Sequence, residues 1–582
     1  MLGMSAPHPL APLLVPLLAA GLLAPPALLG QPAGGLATFL DTVEVRVVNV
    51  DVVVLDADGR PVTGLSREEF ELFEDGKPVE LSNFAAFEEA AAASAGTATF
   101  EPGATAAEIA TAEAPRAAPP ATWVVYLDQS ALQPGPRNQV LKETRDFLTT
   151  SLATGDRAMV ATFDGKSLKI VSNLSADRAS ALGALEILTR QVGSPSGIRG
   201  QASQIQRDIQ SVDLGSPSAV FEAENALREI EAAAEEMALR SRAALDSFRD
   251  LLAIVAGVEG RVAVLYAGGG FESDPAANLY QLWEARFRGL TGVGAASTRD
   301  RDPNTTQARL DYARLLKAVN ASRVTVYTIF AGEGRGPDVS AEIGGTPGSS
   351  GPSLSINSPE GGSSLAAFAT ETGGRAFVGA PDLADRLESA RQDLATYYSL
   401  GYHPEGSDPG AFHELTVRVR RDGLRVVHRR GVTERAPEEV AGDAATAALL
   451  AAAPPENPFG AALEIGAASK AKGAGRGSLV PVSVRVPLRG LTLLPDGAVH
   501  RAQLAFHFSL RDPDGGFRRL EPRPLEFSVP NEKLAASLNQ SIAFKVDLVL
   551  EPGAYQIAVA VVDRLGGASS AATAGFEVAK AR

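Results

Sequence analysis

The sequence predicts an α/β protein in which a doubly wound, mainly parallel sheet is flanked by β-sandwich domains. Three observations carry that prediction. Residues 123–127 and 262–266 are unbroken apolar runs separated by stretches with helical spacing, as in strands covered on both faces. The segments on either side, 43–87 and 396–431, instead alternate apolar and polar residues at period two. From residue 478 onward the apolar runs are short and strand-like, with Gly turns at 514–515, 551–553 and 565–567.

Composition sets the outer limits. With 582 residues, 45% hydrophobic and 21% charged, the chain can bury more than one core, about three to four domains at the usual size. A formal charge of -15 and a pI near 5.1 repel phosphate backbones, and no Lys/Arg cluster offsets them, so nucleic acid is not an expected partner. Arg418, Arg420, Arg421 and Arg425 are locally dense, but they alternate with Val417, Val419 and Val426 and read as the solvated side of strands.

The N-terminus carries no charge from Leu10 to Leu23, then reaches small residues and Gly30, Gln31 and Pro32. It reads as a signal peptide over residues 1–30, although no Lys or Arg precedes the apolar stretch. Export to the periplasm or beyond is the expectation. The absence of Cys excludes disulfides, thiolate metal sites, a Cys nucleophile and a lipid-modified Cys. Residues 251–266 are apolar but interrupted by Glu259 and Arg261, so they read as a helix end and a core strand, with no membrane span after signal cleavage.

Taken in order, Val43, Val45 and Val47 open a strand that continues to Leu55 and breaks at Asp58 and Gly59. A second run, 70–73, meets Glu74-Asp75-Gly76-Lys77, a hairpin signal before 79–87. Together they form an N-terminal β unit, 43–88. Residues 89–121, almost wholly Ala, Thr, Glu, Pro and Gly, read as a linker.

The α/β domain is expected over 122–395. After the strand at 123–127, Val140, Leu141, Phe147, Leu148 and Leu152 lie at helical spacing, closing at Gly155 before a strand at 158–163. Asp164-Gly165 turns the chain into an antiparallel edge, 168–171, and Ser175 is placed to cap a helix carrying Leu182, Leu185 and Leu188. Apolar residues from Phe221 to Val255 recur every three or four positions, a helix about 50 Å long at 1.5 Å per residue. That exceeds what the sheet needs, so its N-terminal half should project as part of an insertion, residues 195–245. Its apolar stripe reads first as packing on its own domain and second as a surface for a partner helix. A strand at 324–329, helices at 307–320, 364–372 and 382–395, and a Gly/Ser/Pro-rich mobile loop at 332–364 complete the domain.

The β unit at 396–431 alternates like the first. Each is too short to bury a core alone, so the two should pair into one sandwich with the α/β domain inserted between them. Residues 432–477 read as a second linker. Strands at 480–486, 502–510, 525–529, 542–550 and 555–562, spaced by Gly turns, then make 478–582 an immunoglobulin-like β-sandwich.

Residues 123–130 followed by a helix, Gly155-Asp156-Arg157 leading to a strand that ends at Phe163, and an apolar strand ending at Ala267 and Gly268 resemble the von Willebrand factor A fold over 122–395. The stretch from Val50 to Leu65, with Tyr397, Tyr398, Ser399, Leu400, Gly401 and Tyr402 after the domain, resembles a bacterial von Willebrand factor A-related subgroup of exported proteins, over 43–431. The resemblance implies a Mg²⁺ or Ca²⁺ site at the C-terminal strand ends. Its ligands would be an Asp-x-Ser-x-Ser loop, a Thr and a second Asp, with one position open to a partner's carboxylate. Here Asp128 and Ser130 stand in the loop, but Leu132 replaces the second Ser and Gly268 the second Asp. No Thr occurs between Gln191 and Asp246, where Ser194 and Ser196 are the nearest substitutes, and Asp274 could reach the site only by a loop excursion. The expectation is a degenerate site without a cofactor, with Mg or Ca as the alternative, in which Asp128 accepts backbone hydrogen bonds at the strand end. Asp128, Ser130, Gly268 and Gly269 would then form a partner-binding face for another protein.

Catalytic motifs are incomplete. His413-Glu414 lacks the second His of a zinc hydrolase, Val417 standing there. Gly165-Lys166-Ser167 resembles the end of a phosphate-binding loop, but Val160 occupies the position of its first Gly. Gly268-Gly269-Gly270 could cradle an anion but has no Lys, and no Gly-x-Ser-x-Gly elbow occurs. The sequence therefore points to an exported, non-enzymatic protein-binding or scaffold module. The alternative is a hydrolase with an unrecognised active site in the β domains.

Overall fold

The computed structural model describes residues 47–89, 115–130, 132, 134–191, 197–271, 276–290, 303–330, 361–378, 382–404, 410–433, 435–451, 454–470 and 477–579. Residues 1–30, read above as a signal peptide, Ser194, Ser196, Asp274 and most of residues 89–121 and 332–364 lie outside them. The chain is mixed α/β, with one largely parallel sheet and several antiparallel ones.

The first strands are β1 (Val48–Leu55), β2 (Phe70–Glu74), β3 (Lys77–Val79) and β4 (Leu81–Phe87). The α/β domain follows as β5 (Thr122–Asp128), α1 (Pro134–Thr150), β6 (Arg157–Phe163), β7 (Leu168–Ser175), α2 (Arg178–Arg190), α3 (Gly197–Ser211), α4 (Ala219–Val255), β8 (Val262–Gly268), α5 (Ala277–Phe287), α6 (Pro303–Ala321), β9 (Val324–Phe330), α7 (Gly361–Thr372), β10 (Ala376–Val378) and α8 (Leu383–Ala395). Its sheet runs β10-β9-β8-β5-β6-β7, parallel except for the edge strand β7. Every residue of β5 is buried because helices cover both faces. Trp123, Val125 and Leu127 face one core with residues of α1, α2 and α8, while Val124 and Tyr126 face another with α4, α6 and α7. Strand order turns back between β5 and β8, which opens a crevice outside their carboxyl ends.

The insertion has a core of its own. Ile205 and Ile209 of α3, Ala223 and Ile230 of α4, and Trp283 and Phe287 of α5 pack together, and Trp283 Nε1 donates to the Ala223 carbonyl at 2.8 Å. The α4 stripe thus packs within its own domain along both halves. Helix α5 carries no expectation from sequence. The cap of α2 is Asp177, whose carboxylate accepts from the Ala179 amide at 3.0 Å; Ser175 instead accepts from the Asp177 amide.

Strands β11 (Tyr397–Tyr402), β12 (Phe412–Val419), β13 (Arg425–His428) and β14 (Gly431–Thr433) return to the first four. The sheets are β13-β1-β11-β4 and β14-β12-β2-β3, with Val50 opposite Leu400 and Leu72 opposite Val417. Both segments contribute to one core that includes Val52, Phe70, Tyr398 and Leu415.

The stretch 432–477 departs from the linker expected there. It holds the end of β14, helix α9 (Pro437–Ala448), β15 (Ala462–Ile465) and β16 (Ser469–Lys470). The Ala-rich composition that reads as linker is a packing face: Ala441, Ala445 and Ala448 lie against Ala505, Ala558 and Ala560. Small side chains on both surfaces let the helix approach the sheet closely. The tail adds β17 (Ser478–Pro487), β18 (Leu494–Asp496), β19 (Val499–Arg511), β20 (Phe517–Arg519), β21 (Arg523–Pro530), β22 (Ser541–Leu550), β23 (Gly553–Asp563) and β24 (Ser569–Val578). These strands form two antiparallel sheets around one core that includes Val482, Phe506 and Val559. Strand β24, rich in Ser, Ala and Thr, lies beyond the strands expected from sequence. Among the described residues, no helix is long and apolar enough to cross a membrane.

Two seams hold the domains. Arg261 pairs with Asp51 at 3.0 Å and stacks 3.8 Å over the Tyr397 ring, while Arg375 pairs with the buried Asp393. On the tail side, Asp443 of α9 pairs with Arg435 and Arg519, and Arg519 donates to the Ala253 carbonyl at 2.7 Å. Gly257 lies so close to α9 that a Cβ there would stand 2.2 Å from the Asp443 carbonyl oxygen.

Candidate functional site

The carboxyl ends of β5 and β8 bring together residues singled out by sequence. Asp128 is the last residue of β5 and is 2% exposed. Because β5 runs into a tight turn, its Oδ1 accepts both the Ser130 amide at 3.0 Å and the Ser130 hydroxyl at 2.6 Å. Oδ2 lies 3.3 Å from the Tyr266 hydroxyl, which donates to it. Gly268 ends the neighbouring strand, Leu127 being paired with Ala267, and Gly269 lies half-buried in the bend that follows. A Cβ on Gly268 would meet Tyr266 Cε1 at 2.8 Å, Tyr266 Oη at 3.0 Å and Asp128 Cβ at 3.1 Å.

The surrounding polar groups form a second network. Gln129 extends the ladder through its amide to the Phe163 carbonyl at 3.0 Å, and its Nε2 donates to Thr162 Oγ1 at 2.9 Å. Thr162 donates in turn to the Leu127 carbonyl at 2.8 Å. Arg137 of α1, itself buried, donates to Gln129 Oε1 at 3.1 Å and to the Leu188 carbonyl; burial holds its guanidinium below the usual Arg range. Beneath Asp128, burial foremost and then the Asp128 charge push the Tyr266 and Tyr126 hydroxyls far above the usual tyrosine range. The Tyr126 and Ser247 hydroxyls share a hydrogen bond at 3.0 Å.

Among the described residues, those at this strand end do not offer a hard divalent cation the ligand set the resemblance implies. Such an ion takes about six oxygen ligands, whereas Leu132 is buried in the core shared with α1 and Gly268 brings no carboxylate. Asp128 already engages three protein donors. Among the described residues no three His, Asp or Glu side chains come together. Gly165, Lys166 and Ser167 form a turn in which Asp164 accepts the amides of Lys166 and Ser167 at 2.8 and 2.9 Å, so those amides face a carboxylate. His413 lies elsewhere, 2.9 Å from Asp75 at the end of the β2–β3 hairpin.

Sequence reasoning brought Asp128, Ser130, Gly268 and Gly269 to one place and missed Tyr266, Gln129, Thr162 and Arg137. One signal for Tyr266 was available: residues two apart on a strand share a face, so Tyr266 and Gly268 must lie side by side.

No family model and no curated protein matches the chain. Among solved structures, an aerotolerance-related membrane protein from Bacteroides fragilis is similar at 11% identity, covering 47% of this chain and 98% of that one with a TM-score of 0.23. A structural-genomics target solved by X-ray diffraction shares 15% identity over 22% of this chain and 88% of its own, at a TM-score of 0.15. A Bacteroides uniformis β-glucuronidase shares 12% identity over 32% of this chain and only 19% of its own, at a TM-score of 0.14. Likenesses of this strength carry no argument about activity.

Proposed function

We propose that this is an exported von Willebrand factor A-related protein, non-enzymatic, that works as a binding or scaffold module. It holds a protein partner with the face around Asp128, Ser130, Gly268 and Gly269 together with the helical insertion, and it does so without a metal. The tail would serve as an immunoglobulin-like spacer. The observation that carries the reading is the insertion itself. It has a complete core, yet leaves Leu214 and Phe221 40% and 62% exposed on either side of the turn into α4. Exposed aromatic and aliphatic groups grouped on a rigid support are what anchor protein interfaces.

The test is affinity capture from envelope fractions with the full chain, compared with Phe221→Asp and with a deletion of residues 195–240. Recovery of a protein by the wild type and its loss with Phe221→Asp is the expected result. A partner retained equally by all three, or none recovered by the wild type, overturns the reading.

A further inference from the structure

We infer that Tyr266 has taken the place of the cation at this strand end, and that Tyr266 and Gly268 are a coupled pair which keeps the site closed to metal. A carboxylate as deeply buried as Asp128 must be compensated. Three neutral donors contribute to that compensation here, the Ser130 amide and hydroxyl on Oδ1 and the Tyr266 hydroxyl on Oδ2. The tyrosine contact is long for an O–H···O bond, so the stronger half of the argument is steric. Any side chain at 268 begins with a Cβ 2.8 Å from the Tyr266 ring, closer than two carbons can stand. Nor can the ring swing aside: Phe248, Tyr126 and Phe271 surround it with centroids 5.1, 5.3 and 5.5 Å away. Glycine at 268 therefore admits the tyrosine, and the tyrosine forbids at 268 the carboxylate that the fold resemblance implies. Restoring that carboxylate alone would not reopen the site.

The inference rests on the top-face reading above only for the position of the missing carboxylate. It requires no partner, so capture could fail while it stands. Thermal melts of the full chain with millimolar Mg²⁺ or with a chelator test it, using wild type, Asp128→Ala, Gly268→Asp and Tyr266→Val/Gly268→Asp. Wild type and Gly268→Asp should not respond to Mg²⁺, whereas the double variant should gain a rise in Tm of several degrees that disappears when Asp128→Ala is added. Three outcomes overturn the inference. These are a Mg²⁺ response in wild type lost with Asp128→Ala, a response of Gly268→Asp as large as the double variant's, or a folded double variant that does not respond. Should the Asp variants fail to fold, Gly268→Ala, Tyr266→Val and their combination decide the steric half by urea titration. Coupling requires the double variant to lose less stability than the sum of the singles; simple additivity overturns it.

Discussion

The two ends of the same parallel sheet solve one problem in opposite ways. At the carboxyl end Asp128, and at the amino end Asp393, are both buried aspartates, 2% and 1% exposed. Asp128 is held by hydroxyls and an amide, with a glycine beside it. Asp393 is held by Arg375, in a seam where Arg261 also bonds the Asp393 and Leu394 carbonyls at 3.2 and 2.9 Å and pairs with Asp51 of the β-sandwich. An ionic contact therefore holds the aspartate at the amino end, beside the seam where Arg261 meets Asp51, and hydroxyl and amide donors hold the one at the carboxyl end. The difference follows from what each end must do. Near a seam, charges that recognise each other fix orientation, whereas at the strand end the Ser130 turn and the Tyr266 hydroxyl satisfy the carboxylate oxygens.

The largest effect that could break this comparison is at the amino end. Arg375→Met leaves Asp393 buried without its partner, and removing one member of a buried pair should lower stability by about 3–5 kcal/mol in urea titration. Next comes Gly268→Ala, which sets a Cβ against the enclosed Tyr266 ring, forces β8 to shift and should lose about 1–3 kcal/mol. Asp128→Asn keeps an acceptor for Ser130 and should lose only about 1 kcal/mol; a loss equal to that of Arg375→Met would erase the distinction between the two ends.

The smallest effects are in pH dependence, and they have opposite signs. Burial, against the pull of Arg375, pushes the Asp393 carboxyl up to about 6 from its ordinary 3.8. A folded-state pKa above the unfolded one contributes stability that is present below pH 3.8 and lost as pH rises through about 6. Asp393→Asn should therefore fall behind wild type progressively as pH drops from 7 to 4. His428 behaves in reverse. Its Nδ1 donates to the Arg429 carbonyl at 2.7 Å, its Nε2 accepts the Val417 amide at 3.3 Å, and burial holds it below its ordinary 6.5. Its contribution is present above pH 6.5 and lost as pH falls, so His428→Gln should flatten the acid side of the stability curve below pH 6.5. Urea midpoints across pH 4–8 for both variants and wild type check the two signs.

Much of the architecture was legible where hydrophobic contrast is high. Residues 123–127 and 262–266 read as doubly covered strands because both faces of the central sheet are buried, and Val50, Val52 and Val54 read as one face of a sandwich sheet. Legibility failed where contrast is low. Helix α9 and strand β24 are built largely of Ala, Ser and Thr, residues as common in linkers as at close-packed contacts, and only the opposing surface of Ala505, Ala558 and Ala560 distinguishes the two. At the site, sequence located Asp128, Ser130 and Gly268 through spacing, and it registered Leu132 and Gly268 as losses.

The sequence alone determined the types of the high-contrast elements, the location of the Asp128 strand end and the absence from it of two oxygen ligands, since periodicity and side-chain chemistry are local properties. The tertiary structure alone decided what compensates Asp128, because the Tyr266 hydroxyl, the Ser130 turn and the Gly268 backbone meet only when β5 and β8 are paired. It also decided which charges meet at the seams: Asp51 and Arg261, like Asp443 and Arg519, are distant along the chain, and only packing makes them neighbours.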